Sequence, residues 1–107
     1  MGGVVMEKIY TIDEIREKVK PVAEKYGIER VWLFGSYARG EATAESDVDF
    51  RIDKGRLRGM VALSGLRIDI SEKLSKNVDL LTTKSLSEDF RNKIKNDEVL
   101  IYEWTQQ

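Results

Sequence analysis

The sequence predicts an α+β domain of the two-layer α/β type, a small mixed β-sheet of about four strands backed by helices. Three observations predict it. Apolar residues recur at helical spacing in several stretches, shorter β-branched or alternating runs lie between those stretches, and no repeat, linker or low-complexity tract interrupts the 107 residues. One domain over residues 1–107 is expected, long enough to bury a core but too short to add a separate substrate-binding domain.

Each element has a local reason. Thr11-Ile-Asp-Glu14 is a capping-box pattern, and Ile15, Val19, Val22, Ala23 and Tyr26 follow it on one helical face, so a helix is expected from about 12 to 26. Pro21 leaves room for a kink or an earlier end, and Gly27 supplies a stop. Arg30-Val-Trp-Leu-Phe-Gly35 is an uninterrupted apolar run, as in a central strand covered on both faces, with Trp32 and Phe34 in the core. Ser36-Tyr-Ala-Arg-Gly40 reads as a short helical segment.

Asp47 to Asp53 alternates strictly, with Val48, Phe50 and Ile52 on one face and Asp47, Asp49, Arg51 and Asp53 on a charged open face. Met60, Leu63, Leu66, Ile70 and Leu74 recur at three or four, predicting a helix between 57 and 75 that Gly59 and Gly65 weaken in its first half. Asn77-Val-Asp-Leu-Leu-Thr82 is a third strand. Ser85-Leu-Ser-Glu88 is a second capping-box pattern opening a helix to about Lys95, and Val99-Leu-Ile-Tyr102 closes the sheet. The short link between the first two strands admits an antiparallel pair, hence the mixed sheet.

Composition removes several functions. A net charge of -1 argues against a broad basic face for nucleic acid. There is no cysteine and no histidine, so carboxylates must do any metal or proton work. Met1-Gly-Gly-Val-Val-Met6 lacks the features of a signal peptide, and no apolar run is long enough for a membrane span, so a cytoplasmic protein with no membrane partner is expected.

Two motifs could carry chemistry. Gly35-Ser36 lies where a strand gives way to a helix, so backbone N–H groups and a hydroxyl could meet phosphate oxygens, with glycine allowing close approach. A plain strand-to-helix turn can have the same residues. Asp47 and Asp49 are two apart on a strand, projecting from one face about 6.5 to 7 Å apart, and could share hard cations. An exposed acidic strand face would look the same. Together they are specific: with ten residues between Ser36 and Asp47, the four fixed positions recur by chance on the order of once per thousand chains of this size.

Gly35-Ser-Tyr-Ala-Arg-Gly40 with Ser46-Asp-Val-Asp49 resembles the DNA polymerase β nucleotidyltransferase superfamily, and most closely its minimal nucleotidyltransferase branch. The likeness extends along nearly the whole chain, through Val78-Asp-Leu-Leu81 and the tail Ser87-Glu-Asp-Phe to Glu103. It implies the nucleotidyltransferase fold, ATP as substrate, and two Mg2+ ions held by Asp47, Asp49 and a third carboxylate, Asp79. It also implies that Asp79 accepts the proton of the attacking hydroxyl. Gly35, Ser36 and Arg39 would contact the nucleotide, although Arg39 could equally pair with Glu41 or Glu45.

Members of that branch are similar to antitoxins that form hetero-oligomers with HEPN-domain toxins and attach AMP to a toxin tyrosine with release of pyrophosphate. The expected function is therefore that of a protein adenylyltransferase. Two rivals stay open: a docking module that neutralises its partner without catalysis, and a transferase acting on a small molecule such as an aminoglycoside. Arg51, Lys54, Arg56, Arg58 and Arg67 form one local basic cluster, read as a solvated face or a contact for an acidic partner or phosphates. Trp104 is a candidate partner contact.

Overall fold

The computed structural model describes residues 8–105, so the reading of Met1–Met6 lies outside the described residues. Helix α1 spans Ile12–Tyr26. Its capping box forms as predicted: the Glu14 N–H donates to Thr11 Oγ1 at 3.1 Å, and the Thr11 N–H donates to Glu14 Oε1 at 2.9 Å. The helix continues through Pro21 and ends at Gly27, whose φ of 68° closes it in the left-handed region.

Strands β1 (Arg30–Phe34), β2 (Val48–Asp53), β3 (Val78–Thr82) and β4 (Val99–Glu103) form one sheet in the order β3-β2-β1-β4. β1 is antiparallel to both β2 and β4, whereas β2 and β3 are parallel. The sheet is mixed, and β1 is central. Helix α2 (Gly35–Arg39) follows β1 directly, and helix α3 (Met60–Leu74) crosses between the parallel strands.

Alternation decides the two faces. Val31 and Leu33 of β1 and Val48, Phe50 and Ile52 of β2 are fully buried against Ile15, Val19 and Ala23 of α1 and Leu66 and Ile70 of α3. The opposite face carries Trp32, Phe34, Asp49 and Arg51. Helix α4 (Glu88–Ile94) covers part of it, with Phe90 edge-on to Phe34 at a centroid separation of 6.0 Å. Among the described residues no helix is long and apolar enough to cross a membrane.

Several boundaries differ from the sequence reading. α3 begins at Met60, because Leu57 is buried in the preceding loop and Gly59, at φ 84°, breaks the chain direction. Met60 is then exposed and does not join the core. α4 is capped by Ser87, whose Oγ accepts from the Phe90 N–H. Ser85 is diverted into a one-turn 3-10 segment, Thr83–Ser85, where its hydroxyl donates to the Thr82 carbonyl at 2.8 Å. Asp47 lies just before β2.

Tyr37 on α2 is buried at 4% exposure with its hydroxyl unpartnered. A buried unpaired hydroxyl costs about 1–3 kcal/mol, so Tyr37→Phe is expected to raise stability by about 1 kcal/mol in urea unfolding.

Candidate active site

Strand register assembles the site. Phe34 lies opposite Asp49 across β1 and β2, which brings the next residue, Gly35, beside the Asp49 carboxylate. Asp49 lies beside Asp79 across β2 and β3. Residues far apart in sequence therefore meet on the face of the sheet that α1 and α3 leave open.

Gly35 is the most tightly constrained position. Its φ is 76°, a region that side chains avoid, and a Cβ there would collide with Asp49 Oδ2. The backbone and the carboxylate can approach only because the side chain is missing. Ser36 follows on the first turn of α2, and its hydroxyl makes no hydrogen bond among the described residues. With five residues α2 has a small dipole, so phosphate binding here would rest on the unpaired N–H groups of its first turn and on the Ser36 hydroxyl.

Asp49 is half-buried and its carboxyl is pushed up to about 6. Burial is the main cause; a hydrogen bond with Asp79, the charge of Asp79 and the charge of Asp47 add to it, while Arg39 opposes it. Asp47 and Asp79 are exposed. Among the described residues no three acidic groups stand close enough to make a ready-formed metal cage. The donor chemistry nevertheless fits a hard divalent cation: the ligands are all oxygen, and the like charges around Asp49 would be relieved by a positive ion.

Arg39 is held at 3.0 Å by Glu41 and at 3.9 Å by Asp97, and its charge still reaches Asp49. The pairing with Glu41 is the contact the structure shows, and exposed ion pairs of this kind contribute little to stability.

Arg51 corrects the sequence reading. It is 8% exposed and is not part of a solvated cluster on an open face. Its guanidinium lies 3.8 Å from the Trp32 ring centroid and donates from Nε to Glu98 Oε2 at 2.5 Å, from Nη2 to Glu98 Oε1 at 2.9 Å and from Nη1 to Thr83 Oγ1 at 2.8 Å. Thr83 in turn donates to Asp53 Oδ1 at 2.6 Å. This network braces β2 two residues beyond Asp49. Glu98, Thr83 and Asp97 escaped the sequence reading because each acts across a long loop, and no local pattern marks them. Arg51→Ala would leave Glu98 buried without its cation, at an expected cost of about 3 kcal/mol, measurable by thermal or urea unfolding.

A model of the family described as "Polymerase beta, Nucleotidyltransferase" matches residues 17–107. The chain belongs to the polymerase β nucleotidyltransferase family. This nucleotidyltransferase is 36% identical over 88 residues to a Methanocaldococcus jannaschii relative provisionally named a protein adenylyltransferase, covering 82% of the present chain and 95% of the relative. It is 33% identical over 85 residues to the protein adenylyltransferase MntA of Thermococcus cleftensis, covering 70% and 84%. It also superposes, with a TM-score of 0.67 at 17% identity, on a chain of the Shewanella oneidensis complex of a tri-AMPylated HEPN toxin with an MNT antitoxin. That match covers 88% of the nucleotidyltransferase and 74% of the other chain, and it establishes the shared fold.

Proposed function

We propose that this nucleotidyltransferase is a protein adenylyltransferase that moves AMP from ATP to a tyrosine of a HEPN-domain toxin in the cytoplasm, and so acts as that toxin's antitoxin in a hetero-oligomer. The observation that carries the reading is the close approach of Gly35 to Asp49, which brings the strand-to-helix turn directly against an acidic side chain. The relatives named protein adenylyltransferase and the AMPylated toxin in the Shewanella oneidensis complex supply the acceptor class.

In this reading the first-turn N–H groups of α2 and the Ser36 hydroxyl donate to the phosphate tail of ATP. Arg39 leaves its surface acids to contact a phosphate oxygen. Asp47, Asp49 and Asp79 would hold two Mg2+ ions, which neutralise the phosphates and steady the attacking and leaving oxygens. The tyrosine oxygen attacks the α-phosphorus, the bond from that phosphorus to the bridging oxygen of the β-phosphate breaks, and pyrophosphate leaves. Asp79, exposed beside the acidic pair, accepts the hydroxyl proton and returns it to solvent.

Asp47→Ala separates this reading from neutralisation by docking. The toxin should be modified and silenced by the wild-type chain with ATP, and neither modified nor silenced by the variant. A variant that still binds and silences the toxin without transferring AMP would establish the docking module instead.

A further inference from the structure

Strands β2 and β3 are parallel, and both reach their carboxyl ends at a cavity of about 590 Å³, at the end of the sheet opposite Asp49 and Asp79. Crevices beyond the carboxyl ends of neighbouring parallel strands are common ligand sites in α/β sheets, and this volume lies within the usual range for small ligands. From Asp49 to Asp53 the strand runs four residues, about 13 Å. The cavity is therefore distinct from the carboxylate site.

Its walls carry both charges. Asp53 and Glu29 line it, and each already has partners: Arg30 lies 3.3 Å from Asp53 and 3.1 Å from Glu29, and Thr83 donates to Asp53. Lys54, Arg58 and Lys84 also line it, and none of the three forms an ion pair among the described residues. Arg58 is held in place by Nη1 donating to the Gly55 carbonyl at 2.8 Å and the Leu57 carbonyl at 3.0 Å, which leaves its other nitrogens for a ligand. Three unpaired cations thus gather beside two acids that share Arg30, which also pairs with Glu103 at 2.8 Å, in a chain whose net charge is -1. Lys84 comes from the far side of α3, thirty residues after Lys54, so folding creates the cluster.

We propose that this cavity is a second anion site that takes a phosphate group, in the form of a nucleoside monophosphate or of free phosphate. Two exposed ammonium groups and a braced guanidinium suit a compact dianion with several acceptor oxygens better than a singly charged carboxylate.

The test is a backbone-amide NMR titration of the metal-free chain at constant ionic strength, with AMP in one arm, inorganic phosphate in a second and acetate in a third. AMP or phosphate should give saturable shifts centred on Gly55, Arg58, Thr83 and Lys84. The Lys54→Ala/Lys84→Ala double variant, which removes only exposed side chains, should bind at least about tenfold more weakly, the loss of roughly one charge-assisted contact. Saturation by AMP but not by phosphate identifies the nucleotide as the ligand, and equal saturation identifies the phosphate alone. Shifts confined to Gly35 and Ser36, equal affinity in the double variant, or equal affinity for acetate would overturn the proposal. The readout is binding, so it stands whether or not AMP is transferred to a protein.

Discussion

Gly35→Ala is expected to lower AMP transfer by about 100-fold or more, since misplacing a reacting group by about 1 Å can have that effect. Two physical costs meet at this residue. An alanine at φ 76° is strained by about 1–2 kcal/mol, and its Cβ would force the Asp49 carboxylate away from the turn. Gly40 provides an internal control: its φ is 74°, yet nothing lies within 4 Å of where a Cβ would stand. Gly40→Ala should therefore show the strain without the collision, losing about 1 kcal/mol of stability while keeping near-normal transfer. Steady-state kinetics and urea unfolding on the two variants separate the effects. Equal activity in both would mean that closeness to Asp49 has no part in catalysis.

Asp49→Asn has the second large effect, and it works in opposite directions on activity and stability. Transfer should fall by about 1,000-fold or more, since the amide carries no charge to hold a cation or balance developing charge on phosphate. Metal-free stability should rise. The carboxyl at Asp49 ordinarily titrates near 3.8 and is pushed up to about 6 by burial, by Asp79 and by Asp47. The folded state therefore holds this proton more tightly than the unfolded chain does. The resulting stabilisation is complete below about 3.8 and is lost as the pH rises through about 6. Solvent screens part of the repulsion, which reduces the gain from asparagine at neutral pH to about 1 kcal/mol. Unfolding of the wild type in chelator should show declining stability from pH 4 to pH 7 from this group. The variant should lack that slope, and an identical slope in both would place the repulsion elsewhere.

Both effects depend on sheet register, and the sequence made part of that register legible. Helix α1 was readable because both of its ends are set by nearby residues, Thr11 with Glu14 at one end and Gly27 at the other. The alternation in β2 showed which side chains enter the core and placed Asp49 on the opposite face. The Gly35-Ser36 turn and the acidic pair were readable as a set through their spacing, although each has an ordinary alternative when taken alone. Asp79 came from family resemblance, and the parallel register of β2 and β3 shows why it can reach Asp49.

What was not legible depends on distant partners. Arg51 looked like one member of a basic surface run, because nothing in its own segment announces Glu98, 47 residues away, or the Trp32 ring beneath it. Lys84 could not be grouped with Lys54 and Arg58 before the parallel pairing of β2 and β3 was known. Ser85 carried the spacing of a capping box but closed a tighter turn instead, where its hydroxyl found the Thr82 carbonyl three residues back, and Ser87 capped the helix.

Transfer of the α-phosphoryl group of ATP to a protein hydroxyl is the reaction proposed for this face of the sheet. ATP labelled at the α-phosphorus, or separately at the γ-phosphorus, is supplied to the chain with magnesium and the proposed HEPN-domain partner. The α-label should become acid-stable on the partner and the γ-label should leave in pyrophosphate, and both signals should vanish in Asp47→Ala and Asp49→Ala. A γ-label on the partner, or no α-label with any divalent metal, would rule this reaction out.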